Sequence, residues 1–127
     1  MDYTIILSPK AVGDLETIVR YIALNNPEAA RKVGENLLDK TRELGQFPLK
    51  GQKVPEFDRL DIRQVILKPY KIVYRVEEDK KRINIARFWH SAQANLELWR
   101  SIRSYLRETC AIVSIQHRSS INSLLEI

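Results

Sequence analysis

The chain has 127 residues, 44% of them hydrophobic and 29% charged, and a net charge of +5. Its size predicts one domain whose core is large enough to fold without a disulfide or a structural metal. The single cysteine, Cys110, excludes an internal disulfide, and no apolar run approaches the ~20 residues of a membrane span. We therefore expect a cytoplasmic protein, and the basic charge favours an acidic partner such as nucleic acid, an acidic protein segment or the ribosome surface.

The first third of the chain predicts a strand and two helices. The segment "YTIILS" is apolar and β-branched, which is typical of a strand. The pair Ser8-Pro9 combines a helix N-cap with a residue favoured at the first helical position, and apolar spacing continues to about Leu24. Asn26-Pro27 repeats this start signal for a second helix. The short link between the two predicts an antiparallel helical hairpin.

The rest of the chain predicts a loop, three strands and a helix. Residues 46–57 carry two prolines and a glycine, which is typical of a loop. Strand-like runs follow at Leu60–Leu67, Tyr70–Val76 and Ile83–His90, and helical spacing returns from Ser91 to about Leu106.

Helices and strands that run in blocks predict an α+β fold. Its order is an N-terminal strand, the antiparallel two-helix hairpin, a three-stranded antiparallel meander that completes a small twisted sheet, and a C-terminal helix. We expect the helices on one face of the sheet and the other face open. Residues 1–106 are predicted to form the domain, and residues 107–127 a tail in which "AIVSI" is a possible strand and "SSINSLLEI" a possible helix.

A tight turn at Asp79-Lys80 would divide the last two strands into two chemically different faces. The face that includes Trp89 is apolar, with Arg87 as its one discordant member, and it should pack on the helices. Cations beside a histidine and an aromatic ring could bind phosphate and stack a base, although a solvated sheet face explains the same pattern. The opposite face gathers Lys71, Arg75, Asn84, Phe88 and His90.

Metal-independent RNA cleavage would require a base, a cation at the phosphate and an acid for the leaving oxygen. Glu56, Lys71 or Arg63, and His90 could fill these roles, with the face of Arg63 left open by the turn at Lys68-Pro69. No zinc-type Cys/His spacing, glycine-rich phosphate loop or GxSxG motif is present, so no metal or cofactor is predicted.

The ordered set of these segments resembles the RelE/ParE superfamily, the toxins of type II toxin–antitoxin modules. The chain is most similar to the ParE-like, "plasmid stabilisation" branch. The resemblance covers about residues 3–90 and rests on "ILSPKAVGDLETIVRYIALNNPEAARK", "LGQFPLKGQKVPEF", "IRQVILKPYKIVYRV" and "INIARFWH".

The resemblance implies a growth-arresting toxin that a cognate antitoxin neutralises by wrapping over the helices and sheet. It points to Leu15, Ile18, Ile22 and Leu37 as antitoxin-binding residues. ParE-like members are associated with inhibition of DNA gyrase, which is the predicted activity here. Two alternatives stay open: a RelE-like ribosome-dependent mRNA endonuclease, and an inactive relative that only binds the antitoxin.

The resemblance also bears on single positions. Lys71 stands where ribonuclease members commonly have a catalytic arginine, His90 stands near the end of the last strand, where some have a catalytic histidine, and Arg63 matches a basic position of both branches. Many relatives carry arginines after that histidine, whereas this chain reads Ser91-Ala92-Gln93.

Overall fold

The computed structural model describes residues 2–57, 59–107 and 113–114. Over this part of the chain it confirms the predicted α+β plan of strand, helical hairpin, antiparallel meander and closing helix. In chain order the elements are β1 (Thr4–Leu7), α1 (Pro9–Ala23), α2 (Pro27–Gln46), β2 (Gln52–Lys53), β3 (Ile62–Leu67), β4 (Tyr70–Glu77), β5 (Arg82–His90), α3 (Asn95–Arg107) and β6 (Val113–Ser114).

Both helices of the hairpin begin at the predicted caps. The Ser8 hydroxyl accepts a hydrogen bond from the backbone N–H of Ala11 at 3.0 Å, and the Asn26 side chain accepts one from Ala29 N–H at 3.0 Å. Each cap is followed by a proline at the first helical position, where the missing N–H has no helical partner to lose.

The sheet has the strand order β2-β3-β4-β5-β1-β6. The meander β3-β4-β5 is antiparallel as predicted, while β1 runs parallel to β5 and β6 antiparallel to β1. The short strand β2 lies inside the predicted loop, and β6 lies inside the segment "AIVSI". The helix proposed for "SSINSLLEI" falls outside the described residues.

One extra residue in β5 changes which side chains share a face. The pairing predicted from the turn holds from Glu77 and Arg82 to Tyr74 and Ile85, but the next pair joins Val73 to Arg87. Ala86 is therefore bulged, and every residue of β5 after it moves to the face opposite the one that simple alternation predicts.

The sheet carries a hydrophobic core on each side. On the side facing α1 and α2, here called the hairpin face, the core includes Tyr70, Ile72, Tyr74, Val76, Ile83, Ile85 and Phe88. On the other side, the α3 face, α3 inserts Leu98, Trp99 and Ile102 against Val54, Phe57, Ile62, Val73, Ala86 and Trp89.

This second core corrects the expectation that one face of the sheet is open. The side chains of Leu98, Trp99 and Ile102 are almost fully buried. Removing a large apolar side chain from water contributes about 1.5–3 kcal/mol each, so α3 is held firmly to the sheet. The prediction that Trp89 packs on the hairpin is also wrong, because its side chain packs under α3.

The loop between α2 and β3 is fastened by a buried tyrosine. The Tyr74 hydroxyl donates to the carbonyl of Pro48 and accepts from the N–H of Gly51, both at 2.9 Å. Burial raises the pKa of Tyr74, although the bond from Gly51 and the charge of Arg63 act in the opposite direction. A Cβ at Gly51 would lie 2.5 Å from this hydroxyl and 2.6 Å from the carbonyl oxygen of Gln64, so only glycine fits without movement.

We expect Gly51→Ala to lower the free energy of unfolding by about 1–3 kcal/mol, because the new methyl group overpacks a closed site. The matched variant Gly13→Ala should raise it by about 0.5–1 kcal/mol, since Gly13 is exposed in α1 with nothing within 4 Å of a Cβ. Urea unfolding of both variants checks the pair. Equal effects in the two variants would contradict the packing described around Tyr74.

Candidate functional site

A charged bridge joins the hairpin, the sheet and α3. Arg87 donates from Nε and Nη2 to the two carboxylate oxygens of Asp14 at 2.6 and 2.7 Å, and from Nη1 to the Ser101 hydroxyl at 2.8 Å. Its guanidinium also lies 4.9 Å from the ring centroid of Trp89. Two parallel bonds to one carboxylate fix the geometry of both partners.

The bridge forms where β5 extends past its neighbouring strand. Pairing with β1 ends at Leu7 and Ile85, so the following backbone groups of β5 need other partners. Side chains from the start of α1 supply them. The Ser8 hydroxyl donates to the carbonyl of the bulged Ala86 at 2.8 Å, and Asp14 accepts from the N–H of Phe88 at 3.1 Å.

Lys71 lies on the α3 face and is held by that helix. Its Nζ donates to the side-chain oxygen of Asn95 at 3.0 Å and lies 5.3 Å from the ring centroid of Trp99. The lysine is half-buried between β4 and α3. A cation beside an aromatic ring could contact a phosphate or a base where β4 meets the start of α3.

His90 lies on the other face of the sheet. It pairs with Tyr70, whose ring meets the imidazole edge to face at 5.3 Å, and its Nδ1 accepts from the N–H of Ala92 at 3.0 Å. The prediction that His90 and Phe88 share a face with Lys71 is therefore wrong. The reason is the bulge at Ala86, which turns both side chains to the hairpin face, where Phe88 is part of the core.

Arg63 is also separated from Lys71. Leu67 pairs with Tyr70, so the turn at Lys68-Pro69 has two residues, its peptide bond is cis, and Arg63 falls opposite Tyr74 on the hairpin face. Tyr70 and Tyr74 are four residues apart on β4, which places Arg63 and His90 ~13 Å apart along the strand direction.

Arg63 and the remaining predicted residues have separate surroundings. The guanidinium of Arg63 donates to the carbonyls of Leu60 and Gly51 at 3.1 and 2.9 Å. Glu56 is exposed on the loop before β3. Arg75 and Asn84 do share the α3 face with Lys71, as predicted, but Asn84 is buried and Arg75 pairs with Asp61 at 3.2 Å. The structure thus does not bring the predicted catalytic residues together.

The predicted antitoxin-binding residues divide into two groups. Leu15 and Leu37 have no exposed surface and belong to the core under the hairpin, which corrects the prediction that a partner contacts them. Ile18 and Ile22 are partly exposed on α1. Their role in binding an antitoxin stays a prediction.

A second charged cluster surrounds Asp61, just before β3. Arg59 donates to both of its carboxylate oxygens at 2.9 and 2.7 Å, and Arg75 donates from β4 at 3.2 Å. Partial burial raises the pKa of Asp61, but the hydrogen bonds and charge of Arg59, together with the bond from Arg75, more than offset this. The pKa of Asp61 is therefore lower than its usual value.

Sequence reasoning missed Asp14 and the extra residue in β5. The available signal was Arg87, the one charged side chain on a face predicted to be apolar, because a buried cation requires a partner. Among the described residues, no cluster of three His, Cys, Asp or Glu side chains is arranged to hold a metal ion. The helices of this part of the chain also include none long and apolar enough to cross a membrane.

Comparison with known proteins places this fold. The family model described as the ParE toxin of the type II toxin–antitoxin system parDE matches residues 5–95. The chain belongs to the ParE toxin family. A search among curated proteins finds no match.

A solved structure of a ParDE system agrees with membership in the ParE family. The chromosomal ParDE system from P. aeruginosa is 26% identical with a TM-score of 0.57, and the match covers 69% of this chain and 95% of that chain. Two more distant structures share the fold. The RelBE2 toxin–antitoxin complex of Mycobacterium tuberculosis is 21% identical with a TM-score of 0.51, and the match covers 71% of this chain and 99% of that chain. A RelE mutant of E. coli in the free state is 17% identical with a TM-score of 0.56, and the match covers 76% of this chain and 92% of that chain.

The bridge should contribute strongly to the stability of this ParE-family toxin. We expect Arg87→Met to lower the free energy of unfolding by about 3 kcal/mol, because it leaves the Asp14 carboxylate largely buried and without its cation. The matched variant Arg20→Met removes the exposed pair with Glu16 and should cost about 0.5 kcal/mol. Urea unfolding at neutral pH measures both, and similar losses would contradict a structural role for the bridge.

The ionised carboxylate of Asp61 should make the stability of the toxin depend on pH in the acid range. Because the pKa of Asp61 is lowered in the folded chain, the stability it contributes is present above the pKa of the unfolded carboxyl, about 4, and is lost as the pH falls through the lower folded pKa. Asp61→Asn should therefore flatten the acid limb of the stability curve below about pH 4. Asp79→Asn removes a carboxylate outside the cluster as a control, and an equal change in both variants would contradict the account.

Proposed function

We propose that this toxin arrests growth by binding DNA gyrase as an inhibitor, and that a cognate antitoxin neutralises it by covering part of the hairpin. The observation that carries the proposal is the placement of Lys71 and His90 on opposite faces of the sheet. Membership in the ParE family supports the same proposal of gyrase inhibition more specifically than the shared fold does.

Metal-independent cleavage of RNA needs its acid, base and cation around one phosphate. Lys71 contacts Asn95 and Trp99 on the α3 face, whereas His90 contacts Tyr70 on the hairpin face. Rotation of a side chain changes its direction but not the face of the sheet from which it projects. This arrangement favours a toxin that acts through its surface.

The hairpin supports the antitoxin part of the proposal. Tyr21 and Leu24 are exposed large apolar side chains at the end of α1, and Ile18 and Ile22 are half-buried on the same helix. Exposed apolar surface of this kind marks an interaction site. A structure of a chromosomal ParDE system is among the relatives that match nearly their full length.

A supercoiling assay with purified gyrase tests the proposal. Addition of the purified toxin should inhibit supercoiling of relaxed plasmid, and prior addition of its cognate antitoxin should restore activity. Unimpaired supercoiling at a large molar excess of toxin would contradict the proposed target.

We expect Lys71→Ala and His90→Ala to arrest growth as the parent toxin does, because the two side chains project from opposite faces and do not form a catalytic site. If the chain were a nuclease, loss of an acid, base or cation would lower the cleavage rate about 10²–10⁴-fold and relieve the arrest. Growth after induction without antitoxin measures the effect, with folding checked by circular dichroism. Loss of arrest in a folded Lys71→Ala variant would contradict the proposal.

A further inference from the structure

Three exposed apolar side chains lie together beyond the C-terminal end of α2. Phe47, Leu49 and Leu60 are 57%, 54% and 71% exposed, in contrast to the buried apolar residues of both cores. Leu49 lines two adjacent depressions, one with Phe47 and one with Leu60. These three residues are called the base patch. Neighbouring exposed apolar side chains of this size are typical of a binding surface.

The depression between Leu49 and Leu60 has the size of a binding groove. It encloses about 580 Å³, and its apolar wall is completed by Val76. Sites that bind small molecules or side chains commonly measure about 300–1,000 Å³ and combine an apolar lining with a few polar groups. Here the polar lining comes from Asp61, Arg63, Arg75, Glu77, Glu78, Asp79 and Lys80.

Charge varies along this groove. At the end near Leu60, the Arg63 guanidinium donates to backbone carbonyls, and Arg59 and Arg75 share the single carboxylate of Asp61, so positive charge is in excess. At the far end Glu78 and Asp79 are exposed and form no ion pair within the described part of the chain. The groove therefore combines apolar side chains with an excess of positive charge around Asp61 and with the exposed carboxylates of Glu78 and Asp79.

We propose that the base patch docks a segment of the target protein that inserts an apolar side chain between Leu49 and Leu60 and places a carboxylate on Arg63. A peptide can carry both signs of charge and an aliphatic anchor, which is what this groove complements. A nucleic acid fits less well, because the carboxylates of Glu78 and Asp79 would repel its backbone.

The proposed docking site is separate from the hairpin tip. The base patch follows the C-terminal end of α2, and Leu24 precedes its N-terminal end. A helix of 20 residues is about 30 Å long, so the two exposed apolar surfaces lie at opposite ends of the molecule. A control of the same residue type lies on a surface that is given no binding role, since Leu96 in α3 is 59% exposed and Leu60 is 71% exposed.

The inference rests on the proposed function for its choice of probe, which is the purified gyrase holoenzyme. The parent toxin and the variants Leu60→Ser and Leu96→Ser are compared for binding to immobilised gyrase at low and high ionic strength. We expect Leu60→Ser to weaken binding about tenfold or more, as loss of a central apolar anchor does, and Leu96→Ser to leave it unchanged. Binding of the parent toxin should weaken as salt rises, because a charge pair with Arg63 is screened.

The outcomes separate the surface from the target. If the parent toxin does not bind gyrase, the proposed function fails, and the same variants are then scored for growth arrest in cells without antitoxin. Loss of arrest in Leu60→Ser alone supports the base patch as the docking site for a different target. Equal behaviour of Leu60→Ser and Leu96→Ser in both assays overturns the inference. Crosslinking of the base patch to RNA or DNA, in place of protein, would also overturn it.

Discussion

The insertion of Ala86 into β5 is the constraint on which the rest of the structure depends. One extra residue turns Arg87 and Trp89 towards α3, and Phe88 and His90 towards the hairpin. β5 also extends past the end of β1, and α1 bonds the backbone groups left there through the Ser8 hydroxyl and the Asp14 carboxylate. The same carboxylate binds Arg87, which the bulge turns towards α3, so α1, β5 and α3 are held together.

The bulge bears on function because it decides which side chains project from the same face of the sheet. Because the residues after the bulge change sides, the cation of Lys71 and the imidazole of His90 cannot converge on one phosphate. The α3 face is occupied by Trp99 and its neighbours, and exposed apolar side chains lie near both ends of α2. We therefore propose that this toxin acts by binding its target, through a surface different from the one that its antitoxin covers.

Local chemistry was sufficient to predict most of the fold. Caps and prolines at Ser8-Pro9 and Asn26-Pro27 define the helix starts, and the turn after Glu77 defines the register as far as Ile85. The bulge could not be read from the sequence, because one inserted residue leaves the apolar content of a strand unchanged and alters only its phase. Leu15 and Leu37 show the related difficulty that an apolar helix stripe does not say whether the chain or a partner covers it.

We propose that this ParE-family toxin arrests growth without cutting RNA. The most direct test is to induce it in a bacterium that lacks the antitoxin and to map transcript 5′ ends within minutes of arrest. We expect intact transcripts together with an induced DNA-damage response. New 5′ ends inside translated codons would contradict the account and would require Lys71, or another basic side chain of the sheet, to act on phosphate.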